Sequence, residues 1–208
     1  MLTMNDNIRR SLNLLTGPEV SDADFAVLAA LIRRRMLRKK QFLLYEGIPG
    51  RDIYYVVKGA LRKYSIDSAG TEHVSDLALE DAWMLDAGGI FRDAPSAYYI
   101  EALEDSEIMV LPADEIRILA GCTLYFSHLS GAFALYSYLA LETRMKLLQH
   151  FTAIERVAYL MEYHPVYFHR FPQNILAAYI GITPATFCRE RKRLLKGRSV
   201  FASSLMPV

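Results

Sequence analysis

From Phe42 to Leu111 the chain switches repeatedly between strand-forming runs and turn residues, and this punctuation limits its fold more than any other feature. β-rich runs at Phe42 to Tyr45, Ile53 to Val57, Ala60 to Ile66, His73 to Leu79, Tyr98 to Leu103 and Glu107 to Leu111 alternate with turn signals at Gly47 to Gly50, Lys58-Gly59 and Asp67 to Gly70. Short strands at roughly 8–12 residue spacing predict an antiparallel sandwich or barrel. Gly47 and Gly59 are expected to serve backbone shape rather than chemistry.

Helical patterns bracket this region. Residues 5–35 read as helical, with Ser21 and Asp24 resembling a capping box ahead of Phe25, Leu28, Ala29 and Ile32 at helical spacing. The basic residues Arg33 to Arg35 and Arg38 to Lys40 then border a strand and read as a solvated edge. After the β-rich region, Pro112 ends the strands and starts a short helix, Ala113 to Leu119. A long helix is expected from Thr123 to Gln149, a further one at Ala153 to Tyr163, a loop at His164 to Phe171, and two short helices at Gln173 to Ile180 and Pro184 to Leu195. The fold class is therefore α+β.

The 208 residues are 52% hydrophobic and 23% charged, enough for a real core and unlike a disordered chain. The net charge of +1 conceals an asymmetry. Asp67 to Glu115 holds 13 acidic residues against one basic, Arg92, whereas Pro184 to Arg198 holds six basic residues against one acidic, Glu190. A near-neutral protein with one basic end can present that end to phosphates.

Several function classes find little support. The 24 residues from Ile118 to Leu141 lack Asp, Glu, Lys and Arg, but Thr123, Ser127, His128, Ser130 and Ser137 interrupt them, so a buried helix is expected rather than a membrane span. Met1 to Arg10 shows no apolar leader segment, and the two distant cysteines, Cys122 and Cys188, fit a reducing cytoplasm. Cys122 and Cys188 are too sparse for a disulfide framework or an iron–sulfur cluster, and Cys188 reads as a packed cysteine. The five histidines show no ligand spacing, so neither metal nor other cofactor is expected. No phosphate loop, nucleophile elbow or zinc-protease signature is present, and no enzyme is expected.

The sharpest signal is FPQNILAAYIGITPATFCRERKRLL, Phe171 to Leu195. It reads as two helices joined by a turn at Gly181-Ile182-Thr183, with Gly181 in a left-handed position, Thr183 as cap and Pro184 opening the second helix. Ile175, Leu176, Tyr179, Ile182 and Phe187 are the expected small core. This is helix-turn-helix patterning, whose second helix enters the major groove. Thr186, Arg189 and Arg193 share a face by their three- and four-residue spacing. Arg189 is suited to a bidentate guanine contact, while Thr183, Lys192 and Lys196 are placed for phosphates. The rival reading of this segment is a helical hairpin with a wet, basic exterior.

The order of parts resembles the Crp/Fnr family of transcriptional regulators over residues 20–195. RKKQFLLYEGIPGRDIYYVVKGALRKY (Arg38 to Tyr64) looks like the family's opening roll strands, and IEALEDSEIMVLPADEI (Ile100 to Ile116) like its closing strands. PQNILAAYIGITPATFCRERKRL resembles its recognition unit, especially in the Bacteroidetes branch. The resemblance implies N-terminal helices, a jelly-roll-like antiparallel β-roll sensor domain over 1–122, a dimerisation helix over 123–150 and a helix-turn-helix domain over 151–208. It also implies DNA with a palindromic operator, a second copy, RNA polymerase and a small-molecule effector as partners.

At the family's ligand cassette the sequence departs. Where the family has Phe-Gly-Glu this chain has Trp83-Met84-Leu85-Asp86, with Leu85 for the glycine and Asp86 as a partial substitute for the glutamate. Around Ala94-Pro95-Ser96-Ala97 no arginine is present to pair with a cyclic phosphate. Trp83, Leu85, Asp86, Ser96 and Ala97 are the expected pocket residues, and the effector is expected to be something other than cyclic AMP. The residues after the second helix, Gly197 to Val208, leave room for at most a stub of the family's wing. The alternative to a regulator is a ligand- or protein-interaction module built on the same roll, with no DNA partner.

Overall fold

The structure, a computed structural model, describes residues 4–196; the expected wing stub lies outside the described residues. The chain divides into two compact units. The first comprises residues 1–65 and 76–138, and the second residues 66–75 and 139–208.

In the first unit, α1 (Met4–Thr16) and α2 (Asp22–Leu31) precede eight strands: β1 (Arg33–Leu37), β2 (Phe42–Leu44), β3 (Asp52–Lys58), β4 (Leu61–Ile66), β5 (Glu72–Ala78), β6 (Trp83–Leu85), β7 (Tyr99–Ala102) and β8 (Ser106–Pro112). A short helix, α3 (Ala87–Arg92), follows β6. Then come α4 (Ala113–Ala120) and the long α5 (Leu124–His150), whose residues 139–150 belong to the second unit. The strands form two four-stranded sheets of order β1-β8-β3-β6 and β2-β7-β4-β5. The anticipated α+β class and β-roll are present.

Three local expectations need correction. The expected helix of residues 5–35 is two helices and a strand. Gly17 at φ 80° breaks the first, and Arg33 to Arg35 form an exposed edge strand paired with β8. Charged side chains on such an edge discourage further strand pairing. The Ser21 hydroxyl does accept from Asp24 N, at 3.0 Å, but the Asp24 carboxylate takes the Ser21 hydroxyl instead of the backbone N–H that a full capping box requires. The expected loop at His164 to Phe171 contains one helical turn, α7 (Tyr167–Arg170).

Strand alternation sorts the side chains of the first sheet into two cores. One face, with Ile53, Tyr55, Trp83, Leu85, Met109 and Leu111, packs against Ile8 and Leu12 of α1, Leu28 of α2, Ile116 of α4 and Phe126, Leu129 and Phe133 of α5. The other face, with Leu37, Tyr54, Val56, Met84, Ile108 and Val110, meets Leu44, Leu61, Ala78, Ile100 and Ala102 from the second sheet. Full burial of a side chain of this size contributes about 1.5–3 kcal/mol. The uncharged stretch from Ile118 to Leu141 is thereby explained: one side of α5 closes the first core. No helix among the described residues is long and apolar enough to cross a membrane.

Gly59 turns β3 into β4 at φ 109°, and a Cβ there would lie 2.2 Å from Ser106 Oγ, so this turn demands glycine on both steric and backbone grounds.

The second unit contains residues 139–150 of α5, α6 (Ala153–Tyr163), α7, α8 (Gln173–Tyr179) and α9 (Pro184–Lys196), together with the 66–75 hairpin tip. Thr152 and Glu155 form a complete capping box at the start of α6. Hydrogen bonds with Thr152 hold the Glu155 carboxyl below its usual range.

Candidate nucleic-acid interface and sensor roll

The helix-turn-helix is built locally. Gly181 takes φ 66° just past α8, and a Cβ there would sit 2.9 Å from Leu148 Cδ2. Thr183 Oγ1 accepts from Thr186 N at 3.2 Å and donates to Thr186 Oγ1 at 2.9 Å, capping α9. The small core holds Ile175, Leu176, Ala177, Ile180 and Phe187. Two residues expected in that core, Tyr179 and Ile182, are only half-buried. Ala177 and Ile180 fill it instead, leaving the Tyr179 ring for contacts at the helix surface.

Arg189, Lys192, Arg193 and Lys196 are all exposed along α9. Thr186 is half-buried with its hydroxyl held by Thr183, and Thr183 is itself committed to the cap. Arg189 Nε donates to Glu190 Oε1 at 2.9 Å, and Arg193 Nη1 stands 3.8 Å from Glu190 Oε2. Arg191 turns to another side, its guanidinium 5.1 Å from the Phe168 ring centre. Cys188 Sγ donates to Gln173 Oε1 at 3.0 Å, a packed cysteine linking α9 to α8.

Two arginines that no sequence pattern singled out fix this module. Arg156 of α6 donates through Nε to Phe151 O (2.9 Å), through Nη2 to Leu148 O (2.7 Å), and through Nη1 to Ile180 O (3.0 Å) and Gly181 O (3.4 Å). It thus caps the C-terminal ends of α5 and α8 at once, where helix carbonyls lack partners and a cation is favoured. Arg144 of α5 donates to Tyr179 O at 2.8 Å and to Val74 O at 2.5 Å, with its guanidinium 5.1 Å from the Tyr179 ring centre. The only hint in the sequence is that each arginine interrupts a largely apolar helical face.

The pocket residues expected in the roll are not gathered into one cavity. Trp83 and Leu85 lie on the face of the first sheet that packs against helices, where Trp83 Nε1 donates to Ser11 Oγ at 2.8 Å. Met84, between them, points into the space between the sheets. Asp86 is 4% exposed and caps α3, Oδ1 accepting from Gly88 N at 3.3 Å, while its Oδ2 has no hydrogen-bond partner among the described residues. Ser96 is buried, its hydroxyl accepting from Tyr98 N, and Ala97 is exposed. Lys63, which sequence reasoning missed, donates to Leu85 O at 3.0 Å and lies 5.4 Å from the Tyr98 ring centre. A separate cleft of about 20 Å³, bounded by Ile53, Ile90, Ile116, Ser130 and Phe133, has room for one water molecule. No cluster of metal-ligating side chains occurs among the described residues.

Comparison with known proteins agrees with this fold. Residues 34–120 match the cyclic nucleotide-binding domain family. Among solved structures, the chain is similar to FixK2 from Bradyrhizobium japonicum, with a TM-score of 0.70 at 22% identity over 83% of this chain and 89% of that one. It is similar to a Crp/Fnr-family transcriptional regulator from Eubacterium rectale (TM-score 0.65, 13% identity, 85% and 84% covered) and to the catabolite activator protein of Thermus thermophilus (0.54, 18%, 88% and 87%). No curated protein matches the chain. The fold is that of the Crp/Fnr regulators.

Within residues 34–120, the segment around Ser96 departs from a phosphate site. Pro95 is exposed beside the buried Ser96, and Arg92 is exposed at the end of α3. A cyclic phosphate placed against Ser96 would have no arginine on its own loop, and an anion desolvated without a charged partner is costly.

Proposed function

We propose that the protein is a cytoplasmic, homodimeric, sequence-specific DNA-binding transcriptional regulator that acts by binding rather than catalysis. Helix α9 reads base edges through Arg189, with Thr186 and Arg193 on the same face. Lys192 and Lys196 meet phosphates, while Thr183, expected among the phosphate contacts, caps the helix that presents them. The observation that carries this reading is the capped α9, held against a glycine turn, with Arg189, Lys192, Arg193 and Lys196 all exposed along it. The similarity to the Eubacterium rectale protein, described as a transcriptional regulator of the Crp/Fnr family, lends support.

The second copy docks on α5, where Leu124, Leu135, Tyr138 and Leu141 are between 56% and 73% exposed on a helix whose other side is buried. Two α9 helices related by a two-fold axis read a palindrome with half-sites about one helical turn apart. The roll senses an effector other than cyclic AMP, and RNA polymerase is the downstream partner.

The test is a mobility shift with genomic fragments at two salt concentrations. DNA binding through α9 gives retarded bands that weaken steeply as salt rises, because displaced counterions return to the duplex. No shift at low salt would remove the regulator reading in favour of a protein-docking module.

A further inference from the structure

α9 carries a single acidic residue, Glu190, among Arg189, Arg191, Lys192, Arg193 and Lys196. It is 8% exposed. Its Oε1 accepts from Arg189 Nε at 2.9 Å, and its Oε2 is buried without a hydrogen-bond partner among the described residues, 3.8 Å from Arg193 Nη1. Burying a carboxylate costs free energy that an apolar side chain would not. The apolar anchor of α9 is Phe187, which is fully buried.

The return lies in what the carboxylate does to Arg189. That side chain is 70% exposed, and Glu190 is its one hydrogen-bond and ion-pair partner among the described residues. An arginine on a bare helix surface samples many rotamers, and ordering it on binding opposes association. Glu190 grips the guanidinium by Nε, the nitrogen nearest the stem. The two terminal nitrogens are left as the fork that matches guanine O6 and N7. The same carboxylate removes one positive charge from the DNA-facing helix, which weakens sequence-independent attraction to phosphates.

We propose that Glu190 is a specificity-determining residue: it positions Arg189 for base reading and restrains non-specific binding. This rests on α9 reading DNA.

The experiment selects operators from random duplex DNA with the wild-type protein. It then measures affinity for the selected site and for a scrambled duplex with wild type, Glu190→Ala, Glu190→Gln, Arg189→Ala and the double variants. Glu190→Ala is expected to lower the ratio of specific to scrambled affinity about three- to tenfold, the effect of freeing one rotamer-rich side chain, while scrambled affinity holds or rises. Glu190→Gln, which keeps an acceptor for Nε but loses the charge, is expected to keep the base preference and strengthen scrambled binding. In the Arg189→Ala background, removing Glu190 should leave the ratio unchanged, because the group it positions is gone.

A ratio unaffected by Glu190→Ala, or one that falls equally in the Arg189→Ala background, overturns the proposal and makes Glu190 a packing residue. If Glu190→Ala does not fold, Glu190→Gln and its double variant decide: scrambled binding no stronger than wild type counts against the proposal. A wild-type protein that enriches no motif overturns the DNA reading itself, an outcome distinct from an unchanged ratio.

Discussion

Removing the Arg156 side chain should destabilise the second unit without touching the exposed face of α9 proposed to meet DNA. Arg156 is half-buried and reaches four backbone carbonyls, at Leu148, Phe151, Ile180 and Gly181, over 2.7–3.4 Å. Charge-assisted hydrogen bonds contribute about 1.5–3 kcal/mol each when well formed, and less where solvent competes. The bonds to Leu148 and Phe151 are short, that to Gly181 is long, and water can replace some of them. We therefore expect Arg156→Ala to cost about 3 kcal/mol. Such a loss lowers the melting temperature by about 12 °C or more if a unit of this size melts alone, and by about 6–12 °C if the whole chain melts as one. Arg156→Lys should recover less than half, because a single ammonium cannot span acceptors on two helix ends. Differential scanning calorimetry of the three proteins measures this directly. Melting of Arg156→Ala within about 3 °C of wild type would refute the assignment of Arg156 as the cap of α5 and α8.

Leu135, 56% exposed on α5, sits at the centre of the proposed dimer seam; Leu135→Asp should yield monomers by light scattering, and an unchanged mass would place the seam elsewhere. Arg189→Ala should cost about 1–3 kcal/mol on the selected operator and relax one base position, whereas Lys192→Ala should weaken binding to all sequences alike and flatten the salt slope. Calorimetry with cyclic AMP and cyclic GMP should show no binding tighter than about millimolar, near −4 kcal/mol; micromolar affinity would mean that Lys63 or a rearranged loop supplies the missing cation. His164, stacked on Tyr167 at 4.7 Å, has its pKa lowered by burial, so the unfolded chain takes up a proton first as pH falls through about 6.5. The stability His164 contributes is present above that pH and lost below it; thermal melts between pH 8 and 5, which bracket that value, should be flatter for His164→Phe, and identical slopes would count against the burial.

What the sequence made legible follows from how local each feature is. Strands β2 to β5, β7 and β8 were readable because glycine and aspartate turns punctuate them, and the helix-turn-helix because its turn glycine, cap and core fall within 25 residues, Phe171 to Leu195. β1 was hidden because three arginines sit where an edge strand tolerates charge. β6 has only three residues, too few to display a period. Resemblance to the family's cassette therefore located the segment but could not say which of Trp83, Met84 and Leu85 faces the space between the sheets. The order came out reversed: Met84 points there, and the two residues assigned to a pocket pack on helices. Arg144 and Arg156 were illegible for a different reason. Their acceptors are backbone carbonyls up to 70 residues away, and every residue type has a carbonyl, so no composition or spacing marks the pairing. Glu190 falls between these cases. Its sign was visible against a basic run, but only its burial separates a charge that tempers the helix surface from one that grips a neighbouring arginine. Substitutions confined to the exposed face of α9 would therefore test the proposed contacts to DNA and overlook Glu190, buried beneath that face, and Arg156, which holds the ends of α5 and α8.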